Sequence, residues 1–186
     1  MDLLFNDLKR QFILNFIEKD RWKLMVTGLE NTLKITIVAA IIGIFIGILL
    51  ASIRSTYDKQ YETLKKHKGF KYYVLSFLNF IAQVYLTVIR GTPVVVQLLI
   101  AFFIIFASAK NGVTIAMLAF GINSGAYVAE IFRGGIMSID NGQFEAGYSL
   151  GFNYFQTMIF IVIPQVLKNV LPMLLNEFIA LLKETS

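Results

Sequence analysis

Long uncharged segments alternate with short charged ones along this chain, and this pattern predicts a bundle of membrane-spanning helices. The clearest segments are 35–53 and 111–129, each with 19 consecutive uncharged residues. As helices they would be about 28 Å long, enough to cross the hydrocarbon core of a bilayer. Segment 166–182 is a weaker span, and its polar side chains should face the bundle interior. These are Lys168, Asn169, Asn176 and Glu177.

A further segment, 72–109, carries no charge except Arg90. It is too long for one untilted span and too short for two spans with a turn between them. Pro93 follows Arg90 closely, so we predict a span that is broken or bent at residues 90–93. Because an arginine is costly in lipid, Arg90 should face a polar interior or an interface. The alternative is that it only marks a helix end and pairs with a carbonyl. The chain is therefore predicted to be all-α, with four core spans.

The charged segments indicate how the spans are oriented. Residues 1–23 combine an apolar face at helical spacing with many charges, which predicts an interfacial amphipathic helix with Trp22 as a headgroup anchor. The loop at 54–71 is rich in lysine, and the positive-inside rule places it in the cytoplasm. The start of the chain would then lie outside.

Small residues repeat every four positions in the first span, which would let another helix approach closely. They are Ala39, Gly43, Gly47 and Ala51. We favour a partner helix in the same subunit over a seam between two subunits.

Composition agrees with a membrane protein and excludes several functions. Hydrophobic residues make up 56% of the chain, charged residues 16%, and the mean hydropathy is +0.67. The net charge of +5 comes from residues that flank the spans, so anionic lipid is a simpler partner than nucleic acid. The chain has no cysteine, no cluster with metal-ligand spacing and no Gly-rich nucleotide loop. We therefore predict no metal, no cofactor and no enzymatic activity of its own.

The segment 145–165 is uncharged after Glu145 but does not resemble a plain span. Gly151 should break the helix that Glu145 opens, and Pro164 should end the helical segment after the break. Large apolar side chains recur at helical spacing and should share one face. They are Phe144, Tyr148, Phe152, Phe155, Ile159 and Val162. Such a bent amphipathic segment would suit docking against another protein at the membrane surface. A surface helix that merely leads into a span is an equally good interpretation of the pattern alone.

Glu145-Ala146, followed by Gly151 and then Ile163-Pro164, resembles the signature of binding-protein-dependent ABC importer permeases. In that family the segment, here 143–165, is the cytoplasmic coupling segment that docks on the ATPase subunit. The family most often has alanine at the position of Gly147, so a looser first turn is expected here. The resemblance implies coupling roles for Glu145, Ala146, Gly151 and Pro164. We add Phe152 and Phe155 to this set, because their rings are expected to tie the segment to the bundle.

Two further motifs resemble the polar amino-acid branch of these permeases. Arg90-Gly91-Thr92-Pro93 with Gln97 is one, and the run from Ser124 to Ile136 is the other. They imply a candidate substrate path through Arg90, Thr92, Gln97, Asn123, Ser124 and Tyr127. Asn123 and Ser124 could equally form a structural polar clamp between helices. Glu130 and Arg133, three residues apart on one helix, are expected to form a structural ion pair.

The resemblance implies a type I ABC importer permease domain over 24–186, in the cell membrane of a bacterium, with 54–71 and 131–165 cytoplasmic. It implies a separate ATPase that binds ATP and Mg, an external substrate-binding protein, a second permease subunit and a polar amino acid as substrate. Family members carry one more membrane helix, so the chain is expected to be incomplete at its C-terminal end. The alternative function is an oligomeric channel or pore without an ATPase. The sequence does not indicate which amino acid is carried or whether the two permease subunits are identical.

Overall fold

The computed structural model describes residues 2–18, 20–66 and 69–186, and these are almost entirely helical. The α-helices are α1 (Asp2–Phe12), α2 (Arg21–Lys66), α3 (Phe70–Gly91), α4 (Val94–Ile100), α5 (Gly112–Met137), α6 (Asn141–Ser149), α7 (Tyr154–Thr157) and α8 (Ile163–Glu184). Short π-helical turns follow three of them, at Ile13–Glu18, Ala101–Ile105 and Met158–Val162.

Four helical stretches are long and apolar enough to cross a membrane. They are Arg21–Lys59, Phe70–Gly91, Gly112–Met137 and Tyr154–Glu184, with Val94–Ile105 as a shorter apolar helix. They correspond to the four predicted core spans, and the described ranges contain no strand. The prediction of an all-α, polytopic bundle is therefore confirmed.

The centre of the bundle is the contact between α2 and α5, which run in the same direction. Gly43 lies against Ser124 and Gly47 against Val128, while two glycines of α5 receive isoleucine side chains of α2 in return. A Cβ atom at any of these four glycines would lie less than 3 Å from a neighbouring side-chain atom. Only glycine therefore allows this separation of the two helices. The two alanines of the small-residue ladder are also fully buried, so the ladder packs within the subunit, as predicted.

Helix α8 runs antiparallel to this pair. At one end of the bundle, Thr36 of α2 shares a hydrogen bond of 2.8 Å with the hydroxyl of Thr185, just beyond α8. Towards the other end, Gly135 of α5 packs against Val170 of α8. Helix α3 adds a third contact to α5 through the buried Leu86. Helix α5 is consequently the most enclosed element of the bundle.

The apolar stretch after α2 is broken where the sequence indicated. Thr92 and Pro93 are extended and separate α3 from α4. The amide nitrogen of Gln97 donates to the carbonyl of Ile89 at 2.7 Å and to that of Thr92 at 3.1 Å. These bonds satisfy carbonyl groups that a helix end would otherwise leave without partners.

The lysine-rich segment 54–71, predicted as a loop, is mostly helical. Helix α2 continues to Lys66 and α3 begins at Phe70, while residues 67 and 68 lie outside the described part of the chain. Charge marks the end of an apolar span but does not end a helix, because lysine, arginine and glutamine have good helix propensity. The span therefore continues as a polar helical extension.

The N-terminal helix is present, but its end differs from the prediction. Helix α1 and its π turn occupy 2–18, and Asp20 has a positive φ of 51°. Aspartate tolerates this left-handed conformation better than most residues. Trp22 consequently lies in the first turn of α2 and not in the helix predicted for 1–23, of which Met1 and Lys19 lie outside the described residues.

Candidate functional site

Residues 141–157 form an elbow, in which α6 and α7 are joined by a tight turn. The side chain of Asp140 caps the start of α6. The turn contains Gly151 at a φ of 81°, which glycine adopts far more readily than other residues. Asn153 and Gln156 then form a reciprocal capping box at the start of α7. The predicted break at Gly151 is therefore present, and local sequence signals define both sides of it.

Helices α2 and α8 both hold α6 in place. Lys59 Nζ donates to Asn141 Oδ1 at 2.7 Å and lies 4.7 Å from the ring centroid of Phe144. Phe144 itself is 6% exposed. From α8, the side-chain amide of Gln165 donates to that of Gln143 at 3.0 Å. The lysine-rich extension of α2 and the elbow therefore lie at the same end of the bundle.

Gly147 does not loosen the first turn of the elbow, contrary to expectation. It is buried, and a Cβ atom there would lie 2.6 Å from Thr157 Oγ1 and 2.7 Å from Thr157 Cγ2. Thr157 occupies the space that a side chain at position 147 would need. The glycine therefore brings α7 closer to α6.

The predicted continuous aromatic stripe is wrong. Phe144 is buried, whereas Phe155 is 70% exposed and Tyr148 is 49% exposed. The turn at Gly151 redirects the chain, so helical spacing counted through it does not keep side chains on one face. Phe155 does not tie the elbow to the bundle of this chain, whereas the half-buried ring of Phe152 contacts Phe160 at 6.0 Å between centroids.

Pro164 does not stop the helix. It lies in the first turn of α8, directly after the π turn Met158–Val162, and the helical stretch runs from Tyr154 to Glu184. The hydrogen-bond register changes at the π turn, so Pro164 occupies the start of a new α-helix. A residue there needs no N–H to bond within the helix.

No described part of the chain covers the outer face of α6. Glu145 and Ala146 are both exposed. They lie on the opposite side of α6 from Phe144 and Gly147, which face the bundle. The arrangement presents a short, rigidly held helix to a partner.

Three residues of the candidate substrate path are bonded to one another. Gln97 donates to Thr92 Oγ1 at 2.7 Å, and Asn123 donates to Gln97 Oε1 at 3.0 Å. Thr92 in turn donates to the carbonyl of Val88 at 2.9 Å. This network joins the helix break to α5. It corresponds to the structural polar clamp between helices that was the alternative role for Asn123.

Ser124 is also bonded within the bundle. It is fully buried, and its hydroxyl donates to Glu177 Oε1 at 2.9 Å. Of the four polar residues predicted to face the interior from α8, only Glu177 does so, whereas Lys168, Asn169 and Asn176 are exposed.

The predicted pair of Glu130 and Arg133 is part of a larger charged cluster. Arg133 donates to Asp58 of α2 through both Nε and Nη2 at 2.9 Å, whereas its distance to Glu130 is 3.6 Å. Glu130 also lies 3.6 Å from Arg54 and 3.9 Å from Arg90. Asp58 is thus the closer partner of Arg133, and Glu130 is shared among three guanidinium groups.

Arg90 sits at the end of α3, as the alternative interpretation held, but within the described ranges its partners are side chains and not carbonyl groups. Its guanidinium lies 5.6 Å from the ring centroid of Tyr127 and faces Glu130. The side chains of Arg90 and Tyr127 border a cavity of about 460 Å³ between α2, α3 and α5, which we call the charged cavity. Arg90 and Tyr127 are the two candidate path residues that reach it.

The sequence did not single out Arg54 or Asp58, which belong to this cluster. The available signal was their position directly after the uncharged run 35–53. The structure shows no group of three His, Cys, Asp or Glu side chains suited to a metal ion in residues 2–18, 20–66 and 69–186.

A bundle of long apolar helices with an external elbow and a broken span is the architecture of a polytopic membrane protein. The family described as "Binding-protein-dependent transport system inner membrane component" matches residues 43–186. The chain belongs to this family, the permease subunits of ABC importers, in which a separate ATPase hydrolyses ATP. Membership sets aside the channel without an ATPase, and it implies an ATPase, a binding protein and permease partners.

Curated relatives are similar over most of this chain. The arginine transport system permease protein ArtQ of Bacillus subtilis is 38% identical, over 87% of this chain and 68% of its own length. The L-cystine transport system permease protein TcyB of the same species is 31% identical, over 92% and 67%. The putative glutamine transport system permease protein GlnP of Rickettsia typhi is 39% identical, over 87% and 68%.

Two solved structures have the same fold. A crystal structure of an amino acid ABC transporter with histidines matches with a TM-score of 0.72 and 37% identity, over 91% of this chain and 73% of that one. An inward-facing MetNI methionine ABC transporter matches with a TM-score of 0.71, over 90% and 74%. At 20% identity the latter supports the fold alone.

Proposed function

We propose that this chain is the permease subunit of an importer that carries a polar amino acid across the cell membrane by alternating access. The observation that supports this most strongly is that curated relatives of 31–39% identity are named for glutamine, arginine and cystine. These substrates differ in their side chains and share the α-amino and α-carboxylate groups. The proposal therefore specifies the class of substrate.

The elbow is the proposed seat of the ATPase. Its outer face exposes Glu145 and Ala146, and its inner face is held by Phe144, Gly147 and the bond from Lys59. A helix held in this way moves as a rigid body, so a partner that pushes on it also displaces α2 and α8. The ATP and Mg that drive this motion belong to the ATPase subunit.

The proposed orientation is based on the end of the bundle that carries the elbow. The extension of α2 holds Lys59, Lys65 and Lys66, and the positive-inside rule favours the cytoplasm for this end. The Lys-rich segment 54–71 and residues 131–165 would then be cytoplasmic and the N-terminus outside. In this orientation 1–23 is an interfacial element and 24–186 the permease domain.

The test is uptake by the assembled complex in proteoliposomes. The protein, its ATPase and its binding protein are reconstituted, and uptake of labelled glutamine, arginine and cystine is measured with and without ATP. ATP-dependent uptake of at least one is expected. A Glu145→Lys variant should lose the ATPase during purification, whereas Lys110→Gln, a change at an exposed residue away from the elbow, should retain it. A fully assembled complex that takes up none of these amino acids would refute the proposal.

A further inference from the structure

The corner between the end of α2 and the start of α3 carries an aromatic cluster. The ring of Tyr61 in α2 lies 5.2 Å from that of Tyr57 and 6.5 Å from that of Tyr72 in α3, measured between centroids. The ring of Tyr72 meets that of Tyr73 edge-on at 5.4 Å. We call these four residues the tyrosine cluster. Tyrosine is enriched where a membrane meets water, because its ring is apolar and its hydroxyl is polar, so the cluster suits a membrane surface.

The same corner has an excess of positive charge. Segment 54–71 contains six lysine or arginine residues and two acidic residues, which gives it a net charge of +4. Lys65 of α2 and Lys71 of α3 are both exposed, and Lys65 Nζ lies 5.3 Å from the centroid of the Tyr61 ring. Exposed lysines from two helices therefore border the tyrosine cluster.

An exposed apolar stripe begins at this corner and follows α3. Its members recur every three or four residues, and each is at least 41% exposed. They are Phe70, Val74, Phe77, Ile81, Val84 and Val88. The buried residues Asn79, Ala82 and Leu86 lie on the opposite face of α3. From Phe70 to Ile81 the stripe is about 16 Å long, close to the hydrocarbon depth of one leaflet.

We propose that an anionic phospholipid of the cytoplasmic leaflet binds at this corner, with its phosphate between Lys65 and Lys71 and its acyl chains along the apolar stripe of α3. Basic segments next to a span attract anionic headgroups, and the tyrosine hydroxyls add hydrogen-bond donors. The leaflet follows from the proposed orientation, whereas binding requires only that the protein spans a membrane.

A lipid fits both parts of this surface better than a second copy of the chain does. Two copies seated symmetrically on the stripe would bring two positively charged corners together. A phospholipid instead supplies a negative charge at the corner and an apolar chain directly beside it. Phosphatidylcholine has the same phosphate, but its choline group adds a positive charge that would meet the lysines.

A lipid bound at the corner would also brace the elbow. Lys59 lies six residues before Lys65 on α2, about 9 Å along the helix axis, and donates to Asn141 of α6. The extension of α2 therefore connects the proposed lipid site to the elbow.

The test measures lipid binding to the purified full chain by native mass spectrometry, with phosphatidylglycerol and phosphatidylcholine of identical acyl chains. Phosphatidylglycerol should bind more tightly, and less so at high salt. Lys65→Gln and Lys71→Gln should each weaken its binding by about fivefold, and together by about 25-fold. Arginine at both positions should preserve binding, and soluble glycerol phosphate, which lacks acyl chains, should not displace the lipid.

The matched control is the double variant Lys110→Gln/Lys183→Gln. It removes two exposed positive charges at the opposite end of the bundle and should bind phosphatidylglycerol as the unmodified protein does. The fold of each variant is checked by gel filtration. Equal binding of the two lipids would refute the site. So would an equal loss of binding in the control, because the attraction would then depend on total charge alone.

The apolar stripe provides a second measurement that leaves the lysines intact. Phe77→Cys introduces a single cysteine into a chain that has none, and it can carry a nitroxide spin label. In phosphatidylglycerol bilayers the label should be relaxed by oxygen, which dissolves in lipid, and not by a polar nickel complex. A disulfide-linked dimer of Phe77→Cys, or protection of the label from oxygen, would place protein on the stripe and refute the lipid site.

Discussion

The contact between Gly147 and Thr157 gives the sharpest prediction for the elbow. Gly147→Ala adds a methyl group whose carbon would lie 2.6 Å from Thr157 Oγ1 and 3.2 Å from Ile161 Cδ1. Thr157 is β-branched and fully buried, so its side chain has little freedom to rotate away. Relief therefore requires α7 to move away from α6 by about 1 Å to restore ordinary van der Waals separation.

The change in stability caused by Gly147→Ala is the difference between two opposing contributions. Overpacking of a well-packed site typically costs about 1–3 kcal/mol. Alanine is favoured over glycine inside a helix by about 0.5–1 kcal/mol. We therefore expect Gly147→Ala to destabilise the protein by about 1–2 kcal/mol and to displace the elbow. Thr157→Ala removes both clashing atoms, and Thr157 Oγ1 has no hydrogen-bond partner among the described residues, so the double variant should recover most of this loss.

The assay is thermal unfolding of the purified protein, combined with the affinity of each variant for the ATPase subunit. Gly134→Ala is the matched control, because Gly134 is also helical and a Cβ there meets nothing within 4 Å. The control should be neutral or slightly stabilising. If Gly147→Ala is as stable as Gly134→Ala, or if Thr157→Ala fails to restore its stability, the contact between Gly147 and Thr157 does not set the separation of α6 and α7.

Three other substitutions test the bundle, each by thermal unfolding of the purified protein. Gly47→Ala would place a Cβ atom 2.7 Å from Val128 Cβ, so it should reduce stability by about 2–3 kcal/mol. An unchanged melting temperature would contradict the close α2–α5 contact. Gln97→Leu removes the amide that bonds both sides of the helix break and should cost about 1–3 kcal/mol, whereas a neutral result would mean that the break needs no such support. Asp58→Ala leaves Arg133 without its closest partner and should lower the free energy of unfolding by about 1 kcal/mol. The pair is about a quarter exposed, so this loss should be smaller at high salt, and a salt-independent loss would argue against an ionic contribution.

The sequence was sufficient where the signal was local. Arg90 and Pro93 indicated the broken span, and Gly151 indicated the turn of the elbow, because proline and glycine restrict the backbone directly. The small-residue ladder at Gly43 and Gly47 predicted a close helix contact through spacing alone. These features depend on residues within one or two helical turns of each other.

The remaining features depend on how distant segments pack. Asp58 and Arg133 are 75 residues apart in sequence, so their bond depends on the register between α2 and α5. The role of Gly147 depends in the same way on the position of Thr157 after the turn. The α2 extension was misassigned because charge indicates the edge of the membrane and says little about the end of a helix.

The central claim is that the elbow docks on an ATPase on the cytoplasmic side of the membrane. The chain contains no cysteine, so a single one can be introduced at the exposed Ala146 or, as a control, at Lys110 between α4 and α5. Ala146→Cys should cross-link to the ATPase subunit and resist a membrane-impermeant maleimide in intact cells, whereas Lys110→Cys should be labelled from outside and not cross-link. Labelling of Ala146→Cys in intact cells, without a cross-link to the ATPase, would contradict the account.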